Sequence, residues 1–162
     1  FRKSTMNLNY FNMSYQNITR HQNNEYPYSL IDKLINIKGL ISGHGEKYFS
    51  YGEWYFEGHW PGEPNVPGFI MTEAMVQMFK LTTQYETKYS GEKVNDLQFK
   101  NVRFLKKIYP GDCLELKSTV TYHKRGIVKG ETHGYSEGEI ACSMEITLAV
   151  LSELEKVQPE KI

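Results

Sequence analysis

His59 sits in Gly58-His59-Trp60-Pro61-Gly62-Glu63-Pro64-Asn65-Val66-Pro67-Gly68, and Glu73 follows in Phe69-Ile70-Met71-Thr72-Glu73-Ala74-Met75-Val76-Gln77. Imidazole titrates near neutrality, and an apolar pocket favours the protonated form of a carboxyl, so the two form a natural acid/base pair. Glu73 is the lone carboxylate among Phe69, Ile70, Met71, Ala74, Met75, Val76, Met78 and Phe79, where almost no solvated face remains. Gln77 lies four residues on, on the same helical face, placed to hydrogen-bond the Glu73 carboxyl and fix its rotamer. Gly68 opens the helix with an N–H that has no intrahelical partner, a candidate oxyanion donor at the positive end of the helix dipole. A base, an acid and an oxyanion donor are the parts needed to remove a proton beside a carbonyl and expel a β-oxygen.

The elements around these residues must hold them rigidly. Pro61, Pro64 and Pro67 each fix φ and restrict the residue before them, so the path from His59 to the helix is stiff. The apolar pattern predicts one long helix from Gly68 to about Tyr89, stopped by Ser90-Gly91. Before it, Tyr26 to Leu34 reads as a short helix or docking segment. Leu34 to Tyr55 reads as strand, broken by a turn at Gly43-His44-Gly45. After the helix come strands only: Leu97–Ile108, Cys113–Tyr122, Ile127–Ser136 and Glu139–Leu151. Their turns fall at Tyr109-Pro110-Gly111-Asp112, His123-Lys124-Arg125-Gly126 and Glu137-Gly138. Leu114, Leu116 and Val120 alternate, as do Ile140, Cys142, Met144, Ile146, Leu148 and Val150. An apolar helix followed by an antiparallel meander predicts an α+β fold, a helix wrapped by a sheet.

At 162 residues the chain is long enough for one domain with a real core. Residues 1–25, rich in Asn, Tyr, Ser and Gln, read as a peripheral arm, 26–152 as the folded domain and 153–162 as a charged tail. The first five residues read as foreign to the native chain, with Met6 or Met13 as candidate starts. The 19 basic and 19 acidic residues balance, which argues against nucleic acid or an anionic membrane as the main partner. Cys113 and Cys142 stand in no metal-binding or redox spacing and read as reduced thiols. No stretch approaches the roughly 20 apolar residues of a membrane span, and no leader pattern opens the chain, so a cytoplasmic setting is expected. Asn12-Met13-Ser14 and Asn17-Ile18-Thr19 match the glycosylation pattern and are read as accidental.

The motif from His59 to Gly68, followed by Glu73-Ala74-Met75-Val76-Gln77, resembles that of the (3R)-hydroxyacyl-acyl-carrier-protein dehydratases of fatty-acid synthesis (FabZ type), which have the hotdog fold. Tyr26-Pro27-Tyr28-Ser29-Leu30-Ile31-Asp32-Lys33 is similar to the family's Tyr-Pro-Phe-x-Leu-Val-Asp-Arg segment. Tyr109-Pro110-Gly111-Asp112 and Lys124-Arg125-Gly126 stand where the family has a Pro-Gly-Asp turn and a basic hairpin. The likeness covers about residues 26–151. It implies a curved antiparallel sheet around a long central helix. It also implies that His59 takes the α-proton and that Glu73 protonates the leaving hydroxyl, directly or through water. The Gly68 amide would hold the thioester oxygen, and the backbone at Asn65 and Val66 would orient the imidazole. Dimers whose sites draw histidine and glutamate from different subunits are implied, as are trimers of such dimers. No cofactor is implied, since the substrate rides on the phosphopantetheine of acyl carrier protein. Glu73, where related dehydratase/isomerases carry Asp, favours dehydration alone. The departures, Trp60 for Phe, Asn65 for an aliphatic residue, no Pro-His-Arg before Tyr26 and a longer arm, bear on substrate more than reaction, and leave polyketide or aryl-polyene chains open.

Trp60, Phe69, Met75, Met78 and Phe79 are the candidate walls of an acyl tunnel, although helix methionines serve the core as readily. Arg103, Lys106, Lys107, Lys124 and Arg125 form either a solvated face or a basic dock for an acidic carrier protein. His44, His123 and His133 read as turn or surface residues, and a His59/Glu73 metal site lacks a third ligand at metal-like spacing. Two other readings stay open: a hotdog thioesterase, in which the helix carboxylate activates water, and a non-catalytic subunit that keeps the fold.

Overall fold

The computed structural model describes residues 15–21, 24–59 and 62–155. Its elements run α1 (Tyr15–His21), β1 (Lys33–Lys38), β2 (Ser42–Tyr48), a 3-10 turn (Trp54–Phe56), α2 (Gly68–Gln84), β3 (Val94–Phe104), β4 (Cys113–Lys124), β5 (Ile127–Ser136), β6 (Glu139–Val150) and α3 (Leu151–Glu155). The six strands make one antiparallel sheet in the order β1-β2-β4-β5-β6-β3, so β1 and β3 are its edges. The sheet packs on α2 through β2, β4, β5 and β6. This is the α+β hotdog arrangement, a central helix enclosed by an antiparallel sheet.

Alternation explains which faces meet. In β4, Leu114, Leu116 and Ser118 point inward, and in β5, Val128, Gly130, Thr132 and Gly134 do. Cys142, Met144, Ile146 and Leu148 continue the pattern in β6, while Ile140, at the start of that strand, is exposed. Two hairpins close on paired left-handed residues, Arg125-Gly126 (φ 50 and 77) and Glu137-Gly138 (φ 53 and 78), which match the twist of the strands they join.

The glycines at 43 and 45 were expected in a turn, but both lie inside β2, and the turn falls at Gly39–Ile41 instead, with Leu40 at φ 56. They are glycine because α2 lies directly on them. A Cβ at Gly43 would stand 2.3 Å from Thr82 Oγ1, and one at Gly45 would stand 2.8 Å from Met78 Sδ. Tyr26 to Leu34 is not a helix either; it is turn and extended chain running into β1. α2 ends earlier than expected, at Gln84, because Tyr85 turns extended (φ −63, ψ 121) and Glu86 is left-handed. Thr82, Thr83 and Thr87 bond back to the carbonyls of Met78, Phe79 and Thr83, a competition that weakens a helix end. Tyr89 then folds back into the core. Within the expected peripheral arm, α1 buries Ile18 completely and sets His21 against Tyr85 and Ser90.

Gly43→Val is expected to lower stability by about 2 kcal/mol or more, since a branched side chain has no room between β2 and α2. Urea unfolding measures it; a parent-like midpoint would show that sheet and helix do not press together there.

Candidate active site

His59 leaves the 3-10 turn, with its N–H bonded to the Tyr55 carbonyl at 3.2 Å. Its ring returns to its own loop, where Nδ1 lies 2.9 Å from the Asn65 carbonyl. A carbonyl only accepts, so Nδ1 carries the proton and the basic lone pair is on Nε2. The far end of the loop is fixed by Val66 N–H donating to the Ile108 carbonyl at 2.8 Å, and the buried Val66 side chain anchors it in the core. Pro67, extended at ψ 139, caps α2, and its carbonyl takes the Ile70 N–H at 3.0 Å.

Among the described residues, two cavities open beside His59. One, of about 270 Å³, is lined by His59, Asn65, Val66, Gly68, Met71 and Phe104, with Leu105, Lys106 and Lys107 at its rim. The other, of about 290 Å³, is walled by Trp54, Tyr55, Gly58, His59, Pro67 and Phe69, and is almost wholly apolar. Gly68 also lets the Phe104 ring pack closely, since a Cβ there would stand 3.0 Å from that ring.

Glu73 lines neither cavity. It stands further along α2, where Gln77 Nε2 donates to its Oε1 at 2.8 Å. Gln77 is fully buried and all its hydrogen-bonding groups are used. Nε2 also donates to the Tyr28 carbonyl at 2.8 Å, while Oε1 accepts the Leu30 N–H at 2.8 Å. The Tyr28 phenol is raised above its usual pKa, first by burial and then by the charge of Glu73 and a hydrogen bond to it. The Gln77 amide thus holds the Glu73 carboxyl on α2.

A buried cation ties the two halves of this region. Lys47, with its side chain 5% exposed, pairs with Glu53 at 2.7 Å and Asp32 at 3.3 Å. Glu53 immediately precedes the turn that leads to His59, and Asp32 ends the segment that carries Tyr28 and Leu30.

The remaining sequence candidates divide. Phe69 is 61% exposed and walls the second cavity. Met75, Met78 and Phe79 are fully buried beneath the sheet and line neither cavity; Phe79 presses on Gly130. Trp60 lies outside the described residues. The basic residues do not form one patch in this chain. Arg103, Lys106 and Lys107 lie toward the end of β3 that pairs with Cys142, whereas Lys124 and Arg125 cap the hairpin at the other end of the sheet. Lys106 is moreover paired with Glu137 and Glu139, and Lys107 with Glu63. Among the described residues, no three His, Cys, Asp or Glu side chains are grouped to hold a metal ion, and no helix is long and apolar enough to cross a membrane.

Sequence reasoning missed Tyr28, Lys47 and the aromatic wall at Trp54 and Tyr55. The aromatic run was a visible signal, lying just upstream of His59. The lysine had none, because its two partners lie in segments far apart along the chain from each other.

A family model described as a FabA-like domain matches residues 24–145. The 3-hydroxyacyl-acyl-carrier-protein dehydratase FabZ of Alkaliphilus metalliredigens is 34% identical over 147 residues, covering 91% of this chain and 97% of that protein. The FabZ dehydratase of Chloroflexus aggregans is 31% identical over 138 residues, covering 85% and 96%. Among solved structures, the dehydratase heterocomplex ApeI:P from Xenorhabdus doucetiae superposes with a TM-score of 0.69 at 16% identity, over 86% of this chain and 95% of that one, a likeness of fold.

Lys47→Met is expected to cost about 2 kcal/mol, because it leaves two half-buried carboxylates facing each other without a cation. Adding Glu53→Gln should return part of that loss in a double-mutant cycle. Additive effects in urea unfolding would show that Lys47 and Glu53 are not coupled.

Proposed function

The chain belongs to the FabA-like domain family, and from that premise we propose that it removes water from 3-hydroxyacyl thioesters carried on acyl carrier protein, leaving trans-2-enoyl thioesters. The observation that carries this reading is the Nδ1–H of His59 bonded to the Asn65 carbonyl, which makes Nε2 the base. In the reaction, Nε2 takes a proton from C2 and the electron pair of that bond becomes the C2–C3 double bond. The C3–O bond breaks, and the Glu73 carboxyl gives its proton to the departing oxygen, which leaves as water. Charge that builds on the thioester oxygen meets the Gly68 N–H at the start of α2, where the helix dipole adds to the attraction. The protonated imidazole and the carboxylate then exchange their proton through solvent.

The two groups have to meet, and a second copy of the chain is the proposed means. β3 is an unpaired edge with large apolar side chains at its surface: Leu97, Phe99, Val102 and Phe104 are each 38 to 55% exposed, and Leu105 follows at 57%. Phe69 stands exposed at the start of α2. An apolar edge strand of eleven residues invites pairing. A twofold pairing along β3 would set His59 of one copy toward the partner's Glu73. The rim of the first cavity, with Lys106 and Lys107, is then the nearest basic surface for an acidic carrier, and Lys107 is the more exposed of the two.

His59→Ala should lower turnover of a 3-hydroxyacyl thioester by about a hundredfold or more, and Glu73→Gln comparably. Mixing the two inactive variants under subunit exchange should restore about a quarter of parent activity, since half the dimers would then hold one intact site. No restoration despite exchange would show that each chain builds its own site. Release of thiol from a saturated acyl thioester would instead assign the chain to hydrolysis.

A further inference from the structure

The elimination described above leaves a buried cation unused. Lys47 stands near the end of β2, in register with Leu114 of β4, so its backbone belongs to the sheet. Its ammonium lies 2.7 Å from Glu53 Oε1, 3.3 Å from Asp32 Oδ2 and 5.6 Å from the centre of the Phe49 ring. Taking an ammonium out of water is costly, and a buried ion pair seldom stabilises more than apolar side chains of the same size. What such a pair can fix is direction, because the charge must meet its partner at one point.

The two carboxylates are not held equally. Asp32 is tied to β2 without the lysine: its Oδ2 accepts the Tyr48 N–H at 2.7 Å, and its own N–H goes to the Glu46 carbonyl at 2.9 Å. Glu53 lies in a loop, and the 3-10 turn it opens has no side-chain cap. Its backbone carries that turn, with its N–H on the Ser50 carbonyl and its carbonyl taking the Phe56 N–H, both at 3.1 Å. One residue before Phe56, the Tyr55 carbonyl takes the His59 N–H at 3.2 Å. The Tyr55 hydroxyl is buried without a hydrogen bond and gives the turn no polar anchor.

We propose that Lys47 is a positioning residue for the base: rooted in β2, its ammonium grips Glu53 and so sets the turn from which His59 presents its imidazole. Lys47 lines neither cavity beside His59, so it acts through the turn. Displacing a reacting group by about 1 Å costs on the order of a hundredfold in rate, so a small slip of the turn is enough to matter.

This inference rests on His59 being the base, and the test separates the two claims. Lys47→Met, checked for folding by circular dichroism, should lose about tenfold or more in kcat with KM within about twofold of the parent. A folded variant with parent kcat, or with its loss confined to KM, overturns the proposal. Because Lys47→Met also destabilises, two milder variants supply a second measurement. Glu53→Gln keeps the side chain's size but weakens the grip, and should lower kcat about threefold to tenfold. Asp32→Asn can still accept the Tyr48 N–H and should lower it less. Equal losses would trace the effect to the charge of the cluster and overturn the proposal.

The ring itself gives a signal that a merely structural lysine would not move. In ¹⁵N-histidine spectra of the neutral ring, assigned through His59→Ala, the parent should show His59 as the Nδ1–H tautomer. In Glu53→Gln the bond to the Asn65 carbonyl should loosen and the signal shift toward an average of both tautomers. A lower kcat with an unmoved signal would place the loss elsewhere, against the proposal. In a His59→Ala background, Glu53→Gln should leave the residual rate unchanged, and a full further loss there also overturns it. If His59→Ala alone keeps the parent rate, it is the assignment of the base that fails, and the tautomer signal then decides whether Lys47 and Glu53 set the ring.

Discussion

A single buried amide sets the geometry on which the acidic half of the site depends. Gln77 is fully enclosed, and each of its hydrogen-bonding groups has a partner: the Leu30 N–H, the Tyr28 carbonyl and the Glu73 carboxyl. Unpaired, such an amide would cost about 1–3 kcal/mol. Paired, it converts that cost into a joint between the chain before β1, the central helix and the carboxyl. The amide cannot flip without setting donor against donor at Leu30 and acceptor against acceptor at Tyr28 and Glu73, so one rotamer is enforced. Glu73 inherits that precision.

The basic half is built by different means. Backbone groups place His59: its own N–H goes to the Tyr55 carbonyl, its ring to the Asn65 carbonyl, and the loop end to Ile108. Three prolines stiffen the path, so little entropy remains to be lost when the loop orders. Lys47 links this half to the other through Glu53 and Asp32. The clamp matters because its two carboxylates belong to the stretches that lead into His59 and out from Tyr28, so movement of either is resisted by the same cation.

The sequence shows the helix and the last three strands clearly, because in those stretches the period and the burial agree. Cys142 to Leu148 alternate in sequence and in the core alike. Gly43 and Gly45 misled for a physical reason: glycine serves both turns and close approach, and the two uses look the same until the helix is placed on top. Tyr26 to Leu34 carries apolar residues without a partner face, and what orders it is Gln77, 47 residues away from Leu30. The basic residues read as one group because linear distance says nothing of strand direction; β3 and the β4–β5 hairpin carry them to opposite ends. Tyr28 stood in a recognisable segment, but only the fold brings its backbone carbonyl to the Gln77 amide.

A carboxyl that must hold a proton and an imidazole that must lack one are best kept apart until substrate lies between them. In one chain that separation is built in, since His59 opens onto cavities that Glu73 does not line. Brought into direct contact, the pair would exchange a proton and become an ion pair, with neither group in its working state. Delivery of the two halves from different copies, across the apolar edge of β3, would keep the spacing set by the sheet rather than by flexible side chains. In the proposed reaction the acyl chain would then supply the bridge, its second carbon toward the imidazole and its third toward the carboxyl. The sheet edge and the chemistry depend on the same constraint, because the strand whose apolar side chains need covering also carries Phe104, the ring that packs on Gly68 at the mouth of the site.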